Sequence, residues 1–182
     1  MHGWGNEAWC GSALFLAAMF QWLPQTNDSI LECGSGLSSL LLASAAVLAG
    51  RHVHSLEHDG EWAALVTRRM PERLKPSVSI CTVPLKSFDG FDWYAVEPGS
   101  LPAPIGFVVC DGPPASTRGG RYGLGPVLGS DLAPGCIILL DDTQRVGERE
   151  IVNRWCNELG AVVVREGGTY TVLRVDQAQH GI

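Results

Sequence analysis

Acidic residues that follow short apolar runs are the side chains of this sequence with the clearest capacity for chemistry. Five acids share this placement: Glu32, Glu57, Asp111, Asp141 and Asp142. If the runs are parallel strands, their carboxyl ends meet at one edge of a sheet, where ligands bind in open α/β sheets. Carboxylates there can accept hydrogen bonds from hydroxyls, neutralise a cation or remove a proton. A single acid at the end of a strand is weak evidence for a ligand site, because polar residues are expected there. The evidence is that successive strands end in acids.

A glycine-containing turn follows the first of these acids. Residues 30–39 read ILECGSGLSS, an apolar run that ends at Glu32 and continues into Gly34 and Gly36. The apolar pattern beyond it predicts a helix over Leu37–Ala49, so the turn joins a strand to a helix. Glycine lets a ligand lie against the backbone, and the start of the helix offers unpaired N–H groups. We therefore expect a small polar ligand here.

The residues around this turn discriminate between ligand types. Gly34, Gly36 and Ser39 nearly match the G-x-G-x-x-G pattern of dinucleotide sites, and Glu57 is spaced to bind ribose hydroxyls. Against a dinucleotide, Ser39 replaces the third glycine, and Glu32 would repel a pyrophosphate. No lysine follows the glycines, which excludes a P-loop. A ligand with a ribose, no phosphate and a cationic end fits better, and S-adenosylmethionine (SAM) is such a ligand.

Four segments resemble motifs of the class I SAM-dependent methyltransferases. Residues 31–36 (LECGSG) resemble the first motif of that family, and residues 55–59 (SLEHD) resemble its ribose-binding second motif. Residues 111–114 (DGPP) and 140–145 (LDDTQR) resemble the ends of the fourth and fifth strands in small bacterial members. A predicted C-terminal hairpin also matches the antiparallel seventh strand of the family. The resemblance covers most of the chain.

The resemblance implies roles for the motif residues. Gly34 and Gly36 would let the turn close over the methionine part of SAM, which Glu32 would help to orient. Glu57 would accept hydrogen bonds from both ribose hydroxyls, and His58 would lie near the adenosine. The predicted cofactor-binding residues are Glu32, Gly34, Ser35, Gly36, Glu57, His58 and Asp111.

Asp111 is the predicted catalytic residue. Methyl transfer from a cationic sulfur requires that the acceptor be positioned and lose its proton, and Asp111 would act as the base or as an orienting acceptor. The alternative is a turn residue before Gly112 and Pro113, as aspartate often is.

Asp111, Asp141 and Asp142 could also bind a metal. Small methyltransferases of catechol-like substrates hold Mg²⁺ with acids at these two strand ends, and oxygen ligands suit Mg²⁺. Those enzymes usually have Asn as the third ligand, and the Asp-Asp pair here could instead cap the following helix. The sequence therefore favours a site without Mg²⁺ and keeps the metal as the alternative.

A loop rich in glycine and arginine follows, over residues 116–125. Arg118 and Arg121 in this loop could clamp an anionic acceptor. The alternative is that both arginines are solvated.

The order of apolar patterns predicts the fold class. Strands and helices alternate from residue 28 to residue 159, which predicts right-handed βαβ units and a parallel sheet. Residues 84–104 show no clear pattern and are predicted as a loop. Ala161–Arg165 and Thr169–Val175 flank a Gly-Gly turn, which is typical of an antiparallel hairpin. The prediction is one α/β, doubly wound, Rossmann-like sheet of about seven strands, with helices on both faces.

The domain prediction has two parts. Residues 1–27 would form an N-terminal arm and helix that caps the acceptor pocket or packs on the sheet or on a second subunit. Residues 28–182 would form the SAM-binding domain.

The composition of the chain limits the kinds of partner that it is expected to bind. A hydrophobic content of 46% and a charged content of 18% are ordinary for a globular protein, and a net charge of −6 argues against a nucleic-acid partner. No apolar run is long enough to span a membrane. The six cysteines form no CxxC pair, which favours reduced thiols in a cytoplasmic protein. The expected partner is a small-molecule acceptor, with a homodimer allowed.

Three functions remain open from sequence. The first is methylation of an oxygen or nitrogen atom of a small molecule. The second is an NAD-dependent oxidoreductase of the same fold, and the third is a non-catalytic SAM- or nucleotide-binding module.

Overall fold

A seven-stranded sheet forms the centre of the protein in a computed structural model that describes residues 11–97 and 99–176. In chain order the strands are β1 (Ser29–Cys33), β2 (Val53–Glu57), β3 (Val78–Thr82), β4 (Leu85–Ser87), β5 (Asp92–Tyr94), β6 (Ile105–Cys110), β7 (Leu132–Asp141), β8 (Ala161–Glu166) and β9 (Tyr170–Val175). The large sheet has the order β3-β2-β1-β6-β7-β9-β8, and β4 and β5 pair separately. Only β9 runs antiparallel to its neighbours in the large sheet. The predicted fold class and C-terminal hairpin are confirmed.

Helices cover both faces of this sheet. They are α1 (Ala13–Trp22), α2 (Leu37–Ala49), α3 (Gly60–Arg69), α4 (Leu124–Leu128) and α5 (Val146–Glu158). On one face, Phe15 of α1 and Leu42 of α2 are buried in one apolar cluster. On the other, Leu124 of α4 and Trp155 of α5 are buried in a second cluster. Because both faces are covered, the central strands are apolar along their length.

The limits of α3 show how a proline overrides an apolar pattern. The sequence predicts a helix over Gly60–Leu74, but α3 ends at Arg69. Pro71 disfavours the helical conformation in the residue before it, and Met70 accordingly has an extended ψ of 128°. The helix prediction is therefore wrong beyond Arg69.

The segment 84–104 contains the hairpin of β4 and β5, so the prediction of a loop is wrong there. Trp93 and Tyr94 of β5 are fully buried and belong to the cluster beneath α4 and α5. Each strand has only three residues, which is too short for an alternating pattern to be recognised. Burial of the two aromatic rings stabilises this hairpin.

The glycines of the loop after β6 allow close packing on that hairpin. A Cβ atom added to Gly119 would lie 2.6 Å from Cβ of Phe91, and one added to Gly123 would lie 2.5 Å from the Trp93 ring. Gly119 also has a φ of +77°, which other residues rarely adopt. The loop is therefore held against the hairpin along its length.

The N-terminal helix is part of the packed structure. Phe15, Leu16 and Met19 of α1 are buried, and the Phe15 ring meets Tyr170 edge-on at 6.1 Å. The irregular arm predicted before this helix lies outside the described residues. Within the described ranges, the structure shows no helix of the length and apolar character needed to cross a membrane.

Candidate active site

A cavity of about 360 Å³ opens at the carboxyl ends of β1, β2, β6 and β7. Seven of the predicted site residues line it: Gly34, Ser35, Glu57, His58, Asp111, Asp141 and Asp142. The structure thus brings together residues far apart in sequence at the edge where a parallel sheet binds ligands. Glu32 and Gly36 are not among the lining residues. The volume falls within the range of about 300–1,000 Å³ that is usual for small-molecule sites.

The two glycines of the first turn have different structural roles. Gly34 has a φ of +89°, and a Cβ atom there would lie 2.9 Å from the backbone N of Gly112. The backbone N–H groups of Asp111 and Gly112 both donate to the carbonyl oxygen of Cys33, at 3.0 and 2.7 Å. The turns after β1 and β6 are therefore in direct contact. Gly36, by contrast, has extended backbone, and a Cβ there would meet nothing within 4 Å.

Glu32 lies fully buried behind this turn. Its Oε2 accepts hydrogen bonds from the hydroxyls of Ser39 and Ser55, both at 2.6 Å. The Ser39 oxygen in turn accepts the backbone N–H of Gly36 at 3.0 Å. Burial raises the pKa of Glu32 to about 7, although the serine hydrogen bonds lower it. Glu32 therefore fixes the shape of the turn. Any effect of Glu32 on a ligand would act through the turn, because Glu32 does not line the cavity.

Replacing Glu32 with glutamine should make stability less dependent on pH. The pKa of Glu32 rises from 4.5 to about 7 on folding, so folded Glu32 binds more protons than unfolded Glu32 between those values. The contribution of protonated Glu32 to the free energy of unfolding is fully present below the unfolded pKa of 4.5, and it is lost as the pH rises to about 7. Relative to Glu32→Gln, the wild type should lose on the order of 3 kcal/mol of unfolding free energy from about pH 5 to about pH 8.

Urea denaturation of both proteins across this pH range measures the effect. Glu72→Gln is the matched control, because the Glu72 side chain is 87% exposed. A difference between Glu32→Gln and wild type that does not change with pH would contradict the raised pKa.

Glu57 is the acid with the best-defined orientation in the cavity wall. Its Oε2 accepts hydrogen bonds from the backbone N–H and the hydroxyl of Ser35, each at 2.9 Å. Its Oε1 accepts the backbone N–H of Asp59 at 3.0 Å and lies 2.9 Å from Nδ1 of His58. The indole N–H of Trp62 donates to the Ser35 carbonyl at 2.8 Å. These contacts join the turn after β1 to the end of β2 and fix the carboxylate at the cavity.

Tyr94 lines the cavity and was not predicted from the sequence. It is fully buried, and its hydroxyl finds no hydrogen-bond partner within residues 11–97 and 99–176. A Cβ atom on Gly112 would lie 2.7 Å from that hydroxyl, so the tyrosine meets the turn after β6. Burial raises the pKa of Tyr94 well above its usual value, so the hydroxyl keeps its proton as a donor. An unpartnered buried hydroxyl is costly, which suggests that a ligand accepts its hydrogen bond.

Arg121 occupies the space between the predicted catalytic and metal-binding acids. Its guanidinium Nη2 donates to Oδ1 of Asp111 at 3.0 Å and to Oδ2 of Asp142 at 2.9 Å. Arg121 is only 3% exposed, so the prediction of a solvated side chain is wrong for this residue. The alternative fits Arg118, whose side chain is 54% exposed and pairs with Asp92.

These contacts test whether the three acids fit Mg²⁺. A guanidinium, rather than open space, separates the carboxylates of Asp111 and Asp142. Among the described residues, no group of three or more His, Cys, Asp or Glu side chains is arranged to hold a metal ion. The residues around the cavity therefore do not fit the Mg²⁺ alternative.

The pKa of the Asp111 carboxyl lies above its usual value. Burial raises the pKa of Asp111 to about 7, and the nearby Arg121 charge opposes this rise. Burial likewise raises the pKa of Asp141 to about 6. A general base is most effective when its pKa lies near the operating pH.

Comparison with known proteins gives one family. A family described as "Methyltransferase domain" matches residues 31–143, from β1 to the turn after β7. No curated protein shows significant similarity to the chain.

Solved structures share the fold at low sequence identity. A putative caffeoyl-CoA O-methyltransferase from Staphylococcus aureus is 14% identical with a TM-score of 0.65, over 91% of this chain and 85% of that one. A methyltransferase from Geobacter sulfurreducens is 14% identical with a TM-score of 0.62, over 90% and 78%. An RNA methyltransferase from Salinibacter ruber, solved with S-adenosyl-L-homocysteine, is 17% identical with a TM-score of 0.57, over 95% of both chains. At such identities these structures establish the fold alone.

The fold is a Rossmann-like sheet with a cavity at the carboxyl ends of its strands. The family match spans more than half of the sequence, and the chain belongs to this methyltransferase family. With its Rossmann-like sheet, it is a class I SAM-dependent methyltransferase. The family match decides against the alternative of an NAD-dependent oxidoreductase.

Proposed function

We propose that this cavity binds SAM and that the enzyme methylates an oxygen or nitrogen atom of a small molecule. The observation that supports it most is the Glu57 carboxylate, which Ser35 and Asp59 fix in the cavity wall between two strand ends. A carboxylate so held can accept hydrogen bonds from the two neighbouring hydroxyls of a ribose.

Other residues of the cavity fit the remaining parts of SAM. The contact of Gly34 with Gly112 leaves backbone rather than side chains at the turn, so a ligand can approach closely. The Tyr94 hydroxyl offers a donor that the described part of the chain does not use. Bound SAM would supply an electrophilic methyl group on a cationic sulfur.

Asp111 is the proposed base. It lines the cavity, and the pKa of about 7 allows its carboxyl to take a proton from an acceptor hydroxyl or amine near neutral pH. Arg121 holds this carboxylate through a hydrogen bond of 3.0 Å, which fixes its orientation. The proposed role of Asp111 is therefore to orient the acceptor and accept its proton.

Two features favour a small-molecule acceptor over RNA. The net charge of the chain is −6, and the residues that line the cavity include five acids but only two arginines, so the site keeps an excess of negative charge. Negative charge at the site disfavours a phosphate backbone.

Gly11 also lines the cavity, which supports the prediction that the segment 1–27 caps the acceptor pocket.

Calorimetry with SAM, S-adenosylhomocysteine and NAD tests the cofactor. We expect saturable binding of the first two and none of NAD, and the reverse pattern would overturn the proposal. Incubation with radiolabelled SAM and either a panel of phenols and amines or total RNA tests the acceptor. Label transfer to RNA alone would contradict a small-molecule acceptor, and SAM binding without transfer to either would favour the non-catalytic alternative.

Replacing Tyr94 with phenylalanine should separate ligand binding from stability. Because the hydroxyl is buried without a described partner, its removal should leave the unfolding temperature of the free protein unchanged or higher. The further rise in unfolding temperature that S-adenosylhomocysteine produces should become smaller. Thermal unfolding with and without this ligand measures both effects.

Tyr122→Phe is the matched control for this experiment. The Tyr122 hydroxyl donates to Glu158 at 2.7 Å, so its loss should lower stability and leave the effect of the ligand intact. Equal effects of the ligand on wild type and Tyr94→Phe would reject a contact between Tyr94 and the cofactor.

A further inference from the structure

Oxygen atoms from the ends of β6 and β7 surround the Arg121 guanidinium. Besides the two carboxylate contacts already described, Nη2 donates to the carbonyl oxygen of Asp111 at 2.7 Å. Nη1 donates to the carbonyl oxygen of Asp141 at 2.8 Å. Four oxygen atoms of three acidic residues thus bind one buried cation, which belongs to the protein itself.

Further charged side chains lie around the Arg121 guanidinium. Glu148, which is 4% exposed, lies 4.0 Å from both Arg121 and Arg145. Arg145 in turn lies 2.8 Å from Oδ2 of Asp142. Two arginines therefore compensate the acids at this end of the sheet, and buried acids require such compensation.

The backbone of Asp142 shows that these contacts determine the local structure. Asp142 has a φ of +62°, and no other non-glycine residue in the described part of the chain has a positive φ. Such a conformation persists only where surrounding contacts determine it. Here it accompanies the contacts of the Asp142 carboxylate with Arg121 and Arg145.

We propose that Arg121 is the resident cation of this site, and that it positions Asp111. It takes the place that the two carboxylate and two carbonyl oxygens around it would otherwise offer to a divalent metal. A guanidinium is permanently charged, and its fork matches two oxygen acceptors at once. The site therefore needs no metal ion to compensate its acids. The positioning of Asp111 for proton transfer rests on the proposed function, whereas the claim about the cation rests on the contacts alone.

Removing the guanidinium should convert this site into one that binds a divalent metal. Mn²⁺ is titrated by calorimetry into wild type and Arg121→Ala in the absence of SAM, and unfolding temperatures are measured with and without Mn²⁺. Wild type should show no saturable binding and no thermal shift. Arg121→Ala should unfold at a lower temperature than wild type, bind Mn²⁺ saturably and regain part of the lost stability in its presence.

Two further variants separate the removed cation from a general loosening of the fold. Arg121→Lys keeps a positive charge and should bind no Mn²⁺. The double variant Arg121→Ala with Asp142→Asn should lose the acquired affinity, because one carboxylate is gone. A folded Arg121→Ala protein that neither binds nor is stabilised by Mn²⁺ would overturn the proposal.

If Arg121→Ala does not fold, the Mn²⁺ titration of wild type still tests the proposal. Saturable Mn²⁺ binding to wild type that Asp142→Asn abolishes would overturn the proposal, and its absence supports it. The titration contains no cofactor, so its result is independent of the calorimetry that tests SAM binding. Failure of this inference and failure of the proposed function are therefore distinguishable.

Discussion

Replacing Gly34 with alanine should lower the free energy of unfolding by about 2–4 kcal/mol. The φ of +89° alone disfavours any residue with a Cβ atom. That atom would also lie 2.9 Å from the backbone N and 3.0 Å from Cα of Gly112, so the two turns would have to separate. A backbone contact cannot be relieved by a change of rotamer, which is why the expected effect is large. Urea denaturation without ligand measures it.

Gly36→Ala is the matched control two residues away. Its φ of 172° is extended, and its Cβ would meet nothing within 4 Å. The expected loss of stability is below about 1 kcal/mol, the usual difference between glycine and alanine at the start of a helix. If the two variants are equally stable, the close contact between the turns after β1 and β6 does not determine the stability of the fold. Weaker binding of SAM by Gly36→Ala would show instead that the ligand approaches this backbone.

Replacing Glu57 with glutamine should weaken the binding of SAM and of S-adenosylhomocysteine by about tenfold to a hundredfold. Hydrogen bonds to a charged group contribute about 1.5–3 kcal/mol each, and about 1.4 kcal/mol changes a dissociation constant tenfold. Glutamine keeps the size of the side chain but loses the charge and one acceptor. It would also present an amide N–H to donors such as Ser35 or Asp59. Calorimetry of both ligands gives the dissociation constants.

The control for this prediction is Glu61→Gln. Glu61 is exposed in the first turn of α3, close in sequence and outside the cavity wall. Its dissociation constants should match those of wild type. If Glu57→Gln binds both ligands as wild type does, ribose recognition must be assigned to another residue.

The central strands and the first turn could be predicted because their signals are local. The helix after Gly36 has the predicted limits, Leu37 and Ala49. The acids could also be assigned to one edge, because parallel strands present their carboxyl ends together. Local patterns therefore sufficed for the sheet and for most of the cavity wall.

The roles of Arg121 and Tyr94 could not be predicted, because they depend on contacts that no local pattern encodes. Arg121 lies in a loop whose glycines and arginines are typical of solvated segments, yet it is 3% exposed. A signal was present in the excess of acids at the strand ends, since buried carboxylates need a cation. For Tyr94, the neighbouring aromatic residues Phe88, Phe91 and Trp93 are typical of a buried segment, but they do not indicate a cavity.

The hairpin of β4 and β5 connects these two residues through its packing. Its Tyr94 lines the cavity, and its Phe91 and Trp93 pack against glycines of the loop that contains Arg121. An insertion in the hairpin would therefore disturb the proposed cofactor side and the proposed acceptor side of the cavity together. Anyone who recombines this enzyme with a relative should exchange residues 85–94 and the loop 116–123 as a pair, since neither has its native packing without the other.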